Sequence, residues 1–349
     1  MSERRALWAS TGEPGGILAY VRAMQQTPLW SEWNVRHIVT HRYGSAAAKM
    51  LFTVRAGLQF IVELVRFRPT VVHLHVASHA SFVRKQFLSW VCRLAGAPVV
   101  IHIHGSAFQD YYEGSSRVAQ AMIRVTLRRA SAIVALGEAR AGWLRGIAPG
   151  ARITVIPNAV QPAEPAVEPA TGQPIGVVFL GLIGDRKGTF RLIDAWARLG
   201  GEGATLTIAG DGEVERARRQ VQELHLEDTV QVRDWLSDNE VRDLLHHSQV
   251  LVLPSSHEGQ PMAVLEAMAR GLCVVASDVG GLPEMIGDGC GVLVPPDDIE
   301  AIAAALKLVI CDHGLRAQYG GAARARFADQ FDLGFVWRRL DELYREVSR

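Results

Sequence analysis

The sequence contains only four cysteines among 349 residues, and no two of them form a CxxC pair. Scattered cysteines of this kind are typical of reduced thiols in a cytosolic protein, so we expect neither a disulfide framework nor a zinc site. Long apolar runs are also lacking, because Arg, Glu or Gly interrupts each run well short of the roughly 20 residues that cross a bilayer. We therefore predict no membrane-spanning helix and, from the early Gly/Pro loop, no signal peptide.

The composition also lacks the hallmarks of disorder. Hydrophobic residues make up 48% of the chain and charged residues 21%, which is typical of a globular protein. The length favours two domains over one. The net charge of +1 conceals an asymmetry: residues 1–165 hold 19 Lys/Arg against 8 Asp/Glu, or +11, and the remainder sums to −10. Halves of opposite charge usually meet different partners.

Both halves alternate short β-branched runs with longer helical patterns, which predicts βαβ units and parallel sheets. The proline-rich segment 161–174 is too stiff for either element and reads as a linker. We therefore predict an α/β protein with two Rossmann-like, doubly wound domains, 1–160 and 175–349, in which the final helix packs back on the first domain. Because such sheets bind ligands at the carboxyl ends of their strands, the cleft between the domains is the expected site.

The predicted strands of the first domain are 35–40, 71–76, 99–104, 132–135 and 153–156, and those of the second are 176–180, 205–209, 230–232, 250–253, 273–276 and 291–294. The main predicted helices are 50–68, 82–95, 189–199, 214–224 and 261–270.

The segment 254–266, PSSHEGQPMAVLE, combines a strand end, a tight loop and a helix entry. Glu258 lies in the loop, and Glu266 is expected about two turns into the helix. Pro261 suits the first helical turn, where free backbone N–H groups can face a phosphate. Carboxylates suit sugar and ribose hydroxyls because each accepts two hydrogen bonds. For isolated glutamates, however, a helix-start acid and a surface acid are the common interpretation.

The E-x7-E pattern of Glu258 and Glu266 resembles that of the retaining family-four glycosyltransferases of the GT-B fold, and the whole chain fits this resemblance. It implies that Glu258 contacts donor-sugar hydroxyls and that Glu266 contacts the ribose of the nucleotide. The helix start then faces the diphosphate, so the resemblance makes the whole loop part of the donor site: Glu258, Gly259, Gln260, Pro261 and Met262.

A glycine-rich turn after the strand 176–180 carries Arg186 and Lys187. Two cations there can neutralise a leaving diphosphate, although a lone basic turn is more often only solvated. The turn resembles the family's G-R-x(n)-K-G motif, which implies that Lys187 binds the pyrophosphate. Leu182 stands where the family commonly has arginine, and Arg186 is the candidate to replace it.

Two further glycine turns complete the expected donor site. Gly210, in the segment 208–213, resembles the family's G-x-G turn near the nucleotide, and the turn 277–284 resembles one at the interdomain cleft. In the first domain, the segment 11–16 lacks the third glycine of a dinucleotide fingerprint, which disfavours NAD. Gly16 resembles the family's N-terminal loop beside the donor phosphates or the acceptor; a turn that binds no ligand is the alternative.

Two histidine pairs, His73 with His75 and His102 with His104, lie at spacing two on neighbouring strands, so each pair shares a sheet face. Four histidines raise the question of a metal, but no carboxylate or cysteine accompanies them in register, so we predict none. His104, followed by glycine, resembles the family's H-G motif, which implies contact with the donor sugar near the reacting carbon. The other three are predicted to be packed, hydrogen-bonded histidines.

The segments 49–68 and 82–94 are apolar helices dotted with cations. Either they are core helices with a solvated stripe, or they form a face that contacts an anionic membrane. The basic first half favours the membrane.

The resemblance implies a retaining glycosyltransferase that needs no cofactor or metal and moves a sugar from a nucleotide-sugar donor to an acceptor hydroxyl. The cysteine usage favours the cytoplasm, and the basic first half suggests a lipid-linked or other glycan acceptor at the inner face of the cell membrane, in polysaccharide or glycolipid assembly. No nucleic acid is expected as a partner. We expect His104, Glu258 and Lys187 to carry the chemistry. An epimerase or phosphorylase of the same fold, or a non-catalytic sugar-nucleotide binder, remains the alternative.

Overall fold

The computed structural model describes residues 4–13, 15–42, 44–170, 172–201, 203–287 and 289–349. The chain divides into two compact units. Unit 1 contains the described residues up to Ala159 together with Leu333–Arg349, and unit 2 runs from Val160 to Asp332. Residues 161–174, predicted as a linker, carry no helix or extended strand where they are described, and their backbone bonds to unit 2 through Ala166 and Val167.

Unit 1 is built on a six-stranded parallel sheet with the order β2-β1-β3-β4-β5-β6. Its strands are β1 (Ala6–Ser10), β2 (Arg36–Val39), β3 (Val71–Val76), β4 (Val99–Ile103), β5 (Ala132–Ala135) and β6 (Ile153–Val155). Its helices are α1 (Gly16–Gln25), α2 (Pro28–Glu32), α3 (Ala46–Phe67), α4 (Ala80–Leu94), α5 (Phe108–Glu113), α6 (Arg117–Arg129), α7 (Glu138–Ile147) and α15 (Leu333–Val347).

Both faces of the unit 1 sheet are covered, because strand side chains alternate between them. Val72 and Leu74 of β3 join a core formed with α3, α4, α6 and α7. Val71 joins the opposite core, formed with α1, α2 and α15. The last helix, α15, therefore packs in the same layer as α1 and α2, on one face of the unit 1 sheet.

Unit 2 repeats the architecture with the strand order β12-β11-β10-β7-β8-β9. Its strands are β7 (Ile175–Leu180), β8 (Ala204–Ala209), β9 (Val230–Arg233), β10 (Val250–Leu253), β11 (Cys273–Ser277) and β12 (Gly291–Val294). Its helices are α8 (Thr189–Leu199), α9 (Val214–Glu223), α10 (Asp238–His246), α11 (Met262–Arg270), α12 (Leu282–Ile286), α13 (Ile299–Cys311) and α14 (His313–Gln330).

Each sheet has a point where the strand order reverses, and ligands of open α/β sheets bind at the carboxyl ends of the strands at such points. In unit 2 it lies between β7 and β10, and in unit 1 between β1 and β3. The predicted α/β class with two Rossmann-like parallel sheets is confirmed. The strand β1 was not predicted from the sequence. No described helix is long and apolar enough to cross a bilayer.

Candidate active site

The reversal point of unit 2 brings Lys187 and Glu258 together. Lys187 ends a short 3-10 turn, Asp185–Lys187, after β7, and Glu258 lies in the loop after β10. The Lys187 Nζ donates to Glu258 Oε1 at 2.5 Å. Their side chains are only 15% and 6% exposed, so the pair is held largely away from water. This is the chemical centre of the candidate site.

The two loops that carry this pair pack backbone against backbone. Ser256 donates to the Arg186 carbonyl oxygen from its N–H at 2.9 Å and from its hydroxyl at 3.1 Å. Gly188 has φ +73°, and a Cβ built there would lie 2.0 Å from the Pro254 carbonyl oxygen. Only glycine allows this approach, which places Lys187 against the second loop.

Two further turns join the same edge of the sheet. A Cβ on Gly210, after β8, would lie 1.7 Å from the Gly181 carbonyl oxygen. A Cβ on Gly280, after β11, would lie 1.8 Å from that of Glu258. The loops after β7, β8, β10 and β11 therefore form one continuous surface around the Lys187–Glu258 pair.

Arg186 and Leu182 occupy the outer part of this surface. The Arg186 guanidinium is exposed and makes one long bond, 3.5 Å, to the His257 carbonyl oxygen. Leu182 is 47% exposed. Arg186 is thus free enough to turn toward a ligand, and its role in place of the arginine missing at Leu182 stays a prediction.

The prediction for the start of α11 is wrong by one residue. Pro261 has ψ 129°, an extended conformation, so it caps the helix and Met262 is the first helical residue. Glu266 is the fifth residue of the helix and lies about one turn into it, because the expected two turns span the whole distance from Glu258 in the loop. No described side chain caps this helix start, so N–H groups of its first turn remain available to an anion. The preceding Gly259 and Gln260 complete the loop, with Gln260 buried.

Glu266 is neither a surface acid nor an ordinary carboxylate. Burial raises its pKa to about 7, an effect that the nearby charge of Arg270 opposes. Arg270 does not bond the carboxylate; its guanidinium donates to the Glu266 backbone oxygen at 3.0 Å. The carboxyl group keeps acceptor capacity for a ligand.

In unit 1, the four histidines form a row on one face of the sheet: His73, His75 and His102 are fully buried in β3 and β4, and His104, just after β4, is partly exposed. His75 Nδ1 lies 3.0 Å from His104 Nε2, and His102 Nδ1 lies 3.2 Å from His73 Nε2. Burial lowers the pKa of all four, that of His104 to about 3, so the rings are neutral at pH 7. Ring nitrogens of His73, His75 and His102 lie within 4.8 Å of one another. This spacing could hold an ion, whereas no described carboxylate or thiol joins the three rings.

Gly16 is the first residue of α1 and is exposed. The preceding Gly15 has φ +143°. Pro14, in the same predicted loop, lies outside the described residues. The structure thus places His104 and Gly16 in unit 1 and the other predicted site residues in unit 2.

The turns that contain Gly188, Gly280 and Gly281 were identified from the sequence, but the close loop contacts that these glycines allow were not. Lys85, which is 1% exposed, was treated as part of a basic helix face. Its burial has no signal in the local sequence.

Comparisons with known proteins agree with this geometry. The family described as Glycosyl transferases group 1 matches residues 160–326, and the Glycosyl transferase 4-like domain matches residues 63–159. Glycogen synthase of Mycobacterium tuberculosis is 30% identical over 317 residues, which cover 85% of this chain and 74% of that protein. The 2-deoxystreptamine N-acetyl-D-glucosaminyltransferase of Streptomyces fradiae is 28% identical, with coverage of 81% and 72%.

Solved structures show the same fold. Sucrose-phosphate synthase from Thermosynechococcus elongatus superposes with a TM-score of 0.81 at 20% identity, covering 99% of both chains. HepE from Anabaena, solved in complex with UDP, gives a TM-score of 0.77 at 18% identity and covers 98% of this chain and 100% of HepE. The chain therefore belongs to the glycosyl transferases group 1 family, and it is a glycosyltransferase with the GT-B fold.

Proposed function

We propose that this enzyme transfers a sugar from a nucleotide-diphosphate sugar to an acceptor hydroxyl with retention of anomeric configuration. The observation that carries the proposal is the Lys187–Glu258 pair at the reversal point of the unit 2 sheet. The family resemblance and the UDP complex of HepE support a nucleotide donor.

The pair is suited to exchange its partners when a donor binds. A buried ammonium and carboxylate hold each other in place because either one alone would be costly to desolvate. A sugar diphosphate supplies both replacements: phosphate oxygens accept from Lys187, and sugar hydroxyls donate to Glu258. Each side chain is then already in position, which reduces the cost of ordering the site.

The other predicted residues extend this arrangement along the donor. The uncapped start of α11 faces the diphosphate with its N–H groups, and Glu266 accepts hydrogen bonds from the ribose. Arg186 adds a second cation to the leaving group. His104, neutral and held by His75, contacts the donor sugar in its role from the family resemblance.

We propose that retention follows from attack on the same face from which the nucleotide leaves. The bond from the anomeric carbon to the phosphate oxygen breaks, and the bond to the acceptor oxygen forms on that face. The acceptor hydroxyl proton passes to the departing phosphate oxygen. Lys187 and the helix start stabilise the negative charge that develops on the leaving group.

A thermal-shift screen of nucleotide sugars tests the donor assignment. A ligand at 100 times its dissociation constant stabilises the protein by about 2.7 kcal/mol, which is readily measured. We expect one donor to raise the melting temperature of the wild type and to have a much smaller effect on Lys187→Met. Equal stabilisation of both proteins by every nucleotide sugar would refute the site.

We propose further that the acceptor is a lipid-linked glycan, reached at an anionic membrane surface. The support comes from α3, α4 and α6, which pack side by side on one face of the unit 1 sheet. Of the 18 exposed large hydrophobic side chains among the described residues, 12 lie on these helices, including Leu58, Phe87 and Leu94. Such a concentration far exceeds scattered surface apolar residues.

The charges of these helices point to anionic lipid as the occupant. Apart from the buried Lys85, α3, α4 and α6 carry nine Lys and Arg against one acid, Glu63, which is paired with Arg36. Basic residues near anionic lipid contribute about 1 kcal/mol each. A protein partner would need acids to complement this surface, whereas a membrane complements both its charge and its apolar side chains.

Vesicle sedimentation tests the membrane face. Phosphatidylglycerol vesicles should bind the protein at low salt, and phosphatidylcholine vesicles should not. Phe87→Glu should weaken binding about tenfold or more because it removes a large apolar contact and adds repulsion. Leu308→Glu, an equally simple change on the exposed face of α13 in unit 2, is the matched control and should bind as the wild type does.

A further inference from the structure

Lys85 of α4 is a buried cation without a partner. Its side chain is 1% exposed, and its Nζ has no hydrogen-bond acceptor among the described residues. Burial, and to a smaller extent the charge of Arg84, lowers the pKa of this amine to about 7. Buried lysines are normally paired, so this unpaired amine is a candidate contact for an anionic ligand that would favour its charged form.

Two other basic side chains, Arg84 and His37, are close enough to interact electrostatically with the amine. The half-buried Arg84 has a buried Nε with no described acceptor, and desolvation lowers its pKa. His37 is close enough that the charge of Lys85, after burial, helps to lower its pKa to about 4. Glu13 is the carboxylate that offsets the positive charge of these side chains. Its carboxylate lies 3.0 Å from His41 Nε2, and its charge raises the pKa of Arg84, opposing the effect of burial.

This cluster lies where the unit 1 sheet would bind a ligand. Ser10, whose hydroxyl lies 2.7 Å from His37 Nε2, ends β1, and Glu13 belongs to the loop that follows. Arg84 and Lys85 lie in the second turn of α4, the helix that follows β3. The strand order reverses between β1 and β3, so the cluster occupies the ligand-binding edge of the sheet. Its inner member is Lys85, and its outer members Glu13 and His41 are 24% and 18% exposed.

We propose that this cluster binds a phosphate or diphosphate group of the sugar acceptor, with Lys85 and Arg84 as its principal contacts. The inference rests on the proposed function, because it places the acceptor in unit 1. A phosphate carries enough charge to satisfy both cations, and Arg presents paired donors that match its oxygens. In the free enzyme, Glu13 supplies the negative charge that the bound anion would otherwise provide. It separates from His41 when the anion binds.

Calorimetry with inorganic pyrophosphate tests the site, with the donor site silenced by Lys187→Met. We expect this variant to bind one pyrophosphate and the double variant Lys187→Met/Lys85→Met to bind it about tenfold to a hundredfold more weakly, since charge-assisted hydrogen bonds are lost. Glu13→Gln in the Lys187→Met background should bind more tightly, because a repelling carboxylate is removed. This opposite sign separates an anion site from a general loss of structure.

The folding of the variants and the source of the phosphate need separate measurements. Lys85→Met should keep or raise the melting temperature of the free protein, because an unpaired buried amine becomes apolar. Glucose 1-phosphate in solution and a polyprenyl diphosphate in micelles should then compete unequally for the pyrophosphate site, and the stronger competitor identifies the source. Failure of both to compete overturns the acceptor assignment.

Two results distinguish this inference from the proposed function. If Lys187→Met alone abolishes pyrophosphate binding, or Lys85→Met leaves it unchanged, the unit 1 site is wrong and the donor site stands. If pyrophosphate binding depends on Lys85 but no nucleotide sugar binds the wild type, the anion site stands and the proposed function is wrong.

Discussion

At the residue scale, the Lys187–Glu258 pair links stability to activity. Removing one member leaves the other charged, buried and unpaired, which costs about 3–5 kcal/mol. We expect Lys187→Met and Glu258→Gln each to lower the free energy of unfolding, and the double variant to lower it by less than the sum of the two. All three should lose turnover, each single change by about 10²–10³-fold, because each removes a proposed contact to the donor.

Denaturant unfolding monitored on unit 2 and steady-state turnover measure the two effects. The exposed pair Arg198–Glu300, 48% and 75% exposed, is the matched control in the same unit. Arg198→Met should change stability by less than about 1 kcal/mol and leave turnover intact. Additive losses in the Lys187/Glu258 cycle would mean that the two side chains do not depend on each other.

The raised pKa of Glu266 predicts that the free energy of unfolding depends on pH. Its pKa is raised to about 7 by burial, above the value of about 4.3 in an unfolded chain. The folded carboxyl holds its proton more tightly, so this group stabilises the fold below pH 4.3, and that contribution disappears as the pH rises through 7. A shift of this size corresponds to at most about 4 kcal/mol.

Chemical denaturation of the wild type and Glu266→Gln at pH 5 and pH 8 measures this contribution. The buried histidines act equally in both proteins, so the difference between the two isolates Glu266. The wild type should lose more stability from pH 5 to pH 8 than the variant. Parallel pH curves would show that Glu266 titrates normally. If Glu266 binds the ribose as proposed, donor affinity should also rise through pH 7, because the ionised carboxylate is the better hydrogen-bond acceptor.

The residues of the site were predictable wherever their chemistry lies in one short segment. Glu258 and Glu266 stand eight positions apart, and Lys187 follows a strand within a glycine turn. That Lys187 reaches Glu258, 71 positions away, depends on the neighbouring positions of β7 and β10, which local patterns do not encode. The burial of Lys85 could not be predicted either, because it depends on elements that are distant in the sequence.

At the element scale, helix α8 offers a matched pair of glycines. Gly188 precedes it with φ +73°, and Gly200 follows it with φ +79°. A Cβ on Gly200 meets no described atom within 4 Å, whereas one on Gly188 would lie 2.0 Å from the Pro254 carbonyl oxygen. Gly200→Ala should cost about 1–2 kcal/mol for the left-handed backbone alone.

Gly188→Ala should cost more than Gly200→Ala and should also weaken donor binding, because the loops carrying Lys187 and Glu258 are forced apart. Thermal unfolding and donor titration of the two variants compare these effects directly. Equal stability losses with unchanged donor affinity in both would show that the close approach at Pro254 does not hold the site.

Elements were predictable in type and less so at their ends. Strands such as Val71–Val76 and Val250–Leu253 match the predicted ranges because continuous β-branched runs mark buried parallel strands. β1, Ala6–Ser10, escaped prediction because Ala, Trp and Ser give no such run, and its sheet position stabilises it instead. The start of α11 was misplaced since proline suits both the cap and the first turn.

At the scale of the whole molecule, the chain leaves unit 1 at residue 159 and returns to it at residue 333. The returning helix α15 buries Leu340 and Tyr344 in the core beside β3. The Tyr344 hydroxyl bonds His73 Nδ1, and Asp341 accepts from Trp33 Nε1 at 2.8 Å. The returning helix therefore bonds the histidine row through Tyr344 and the segment after α2 through Asp341.

Because α15 packs in the core of unit 1, we predict that substitutions in this helix lower the stability of unit 1 selectively. Leu340→Ala should cost about 2–5 kcal/mol, because a fully buried side chain leaves a cavity. Tyr344→Phe should cost about 1–3 kcal/mol, because it leaves His73 Nδ1 buried without its partner. Phe335→Ala, at a 49% exposed position of the same helix, is the control and should have little effect.

Hydrogen exchange read by mass spectrometry reports the two units separately. In Leu340→Ala, the amides of β3 should exchange faster by the factor that the lost stability implies, roughly tenfold per 1.4 kcal/mol where exchange requires unfolding of the unit. The amides of β7, in unit 2, should exchange as in the wild type. Faster exchange of β7 to the same extent would mean that α15 stabilises the protein as a single cooperative body, and an unchanged β3 would mean that it contributes nothing to unit 1.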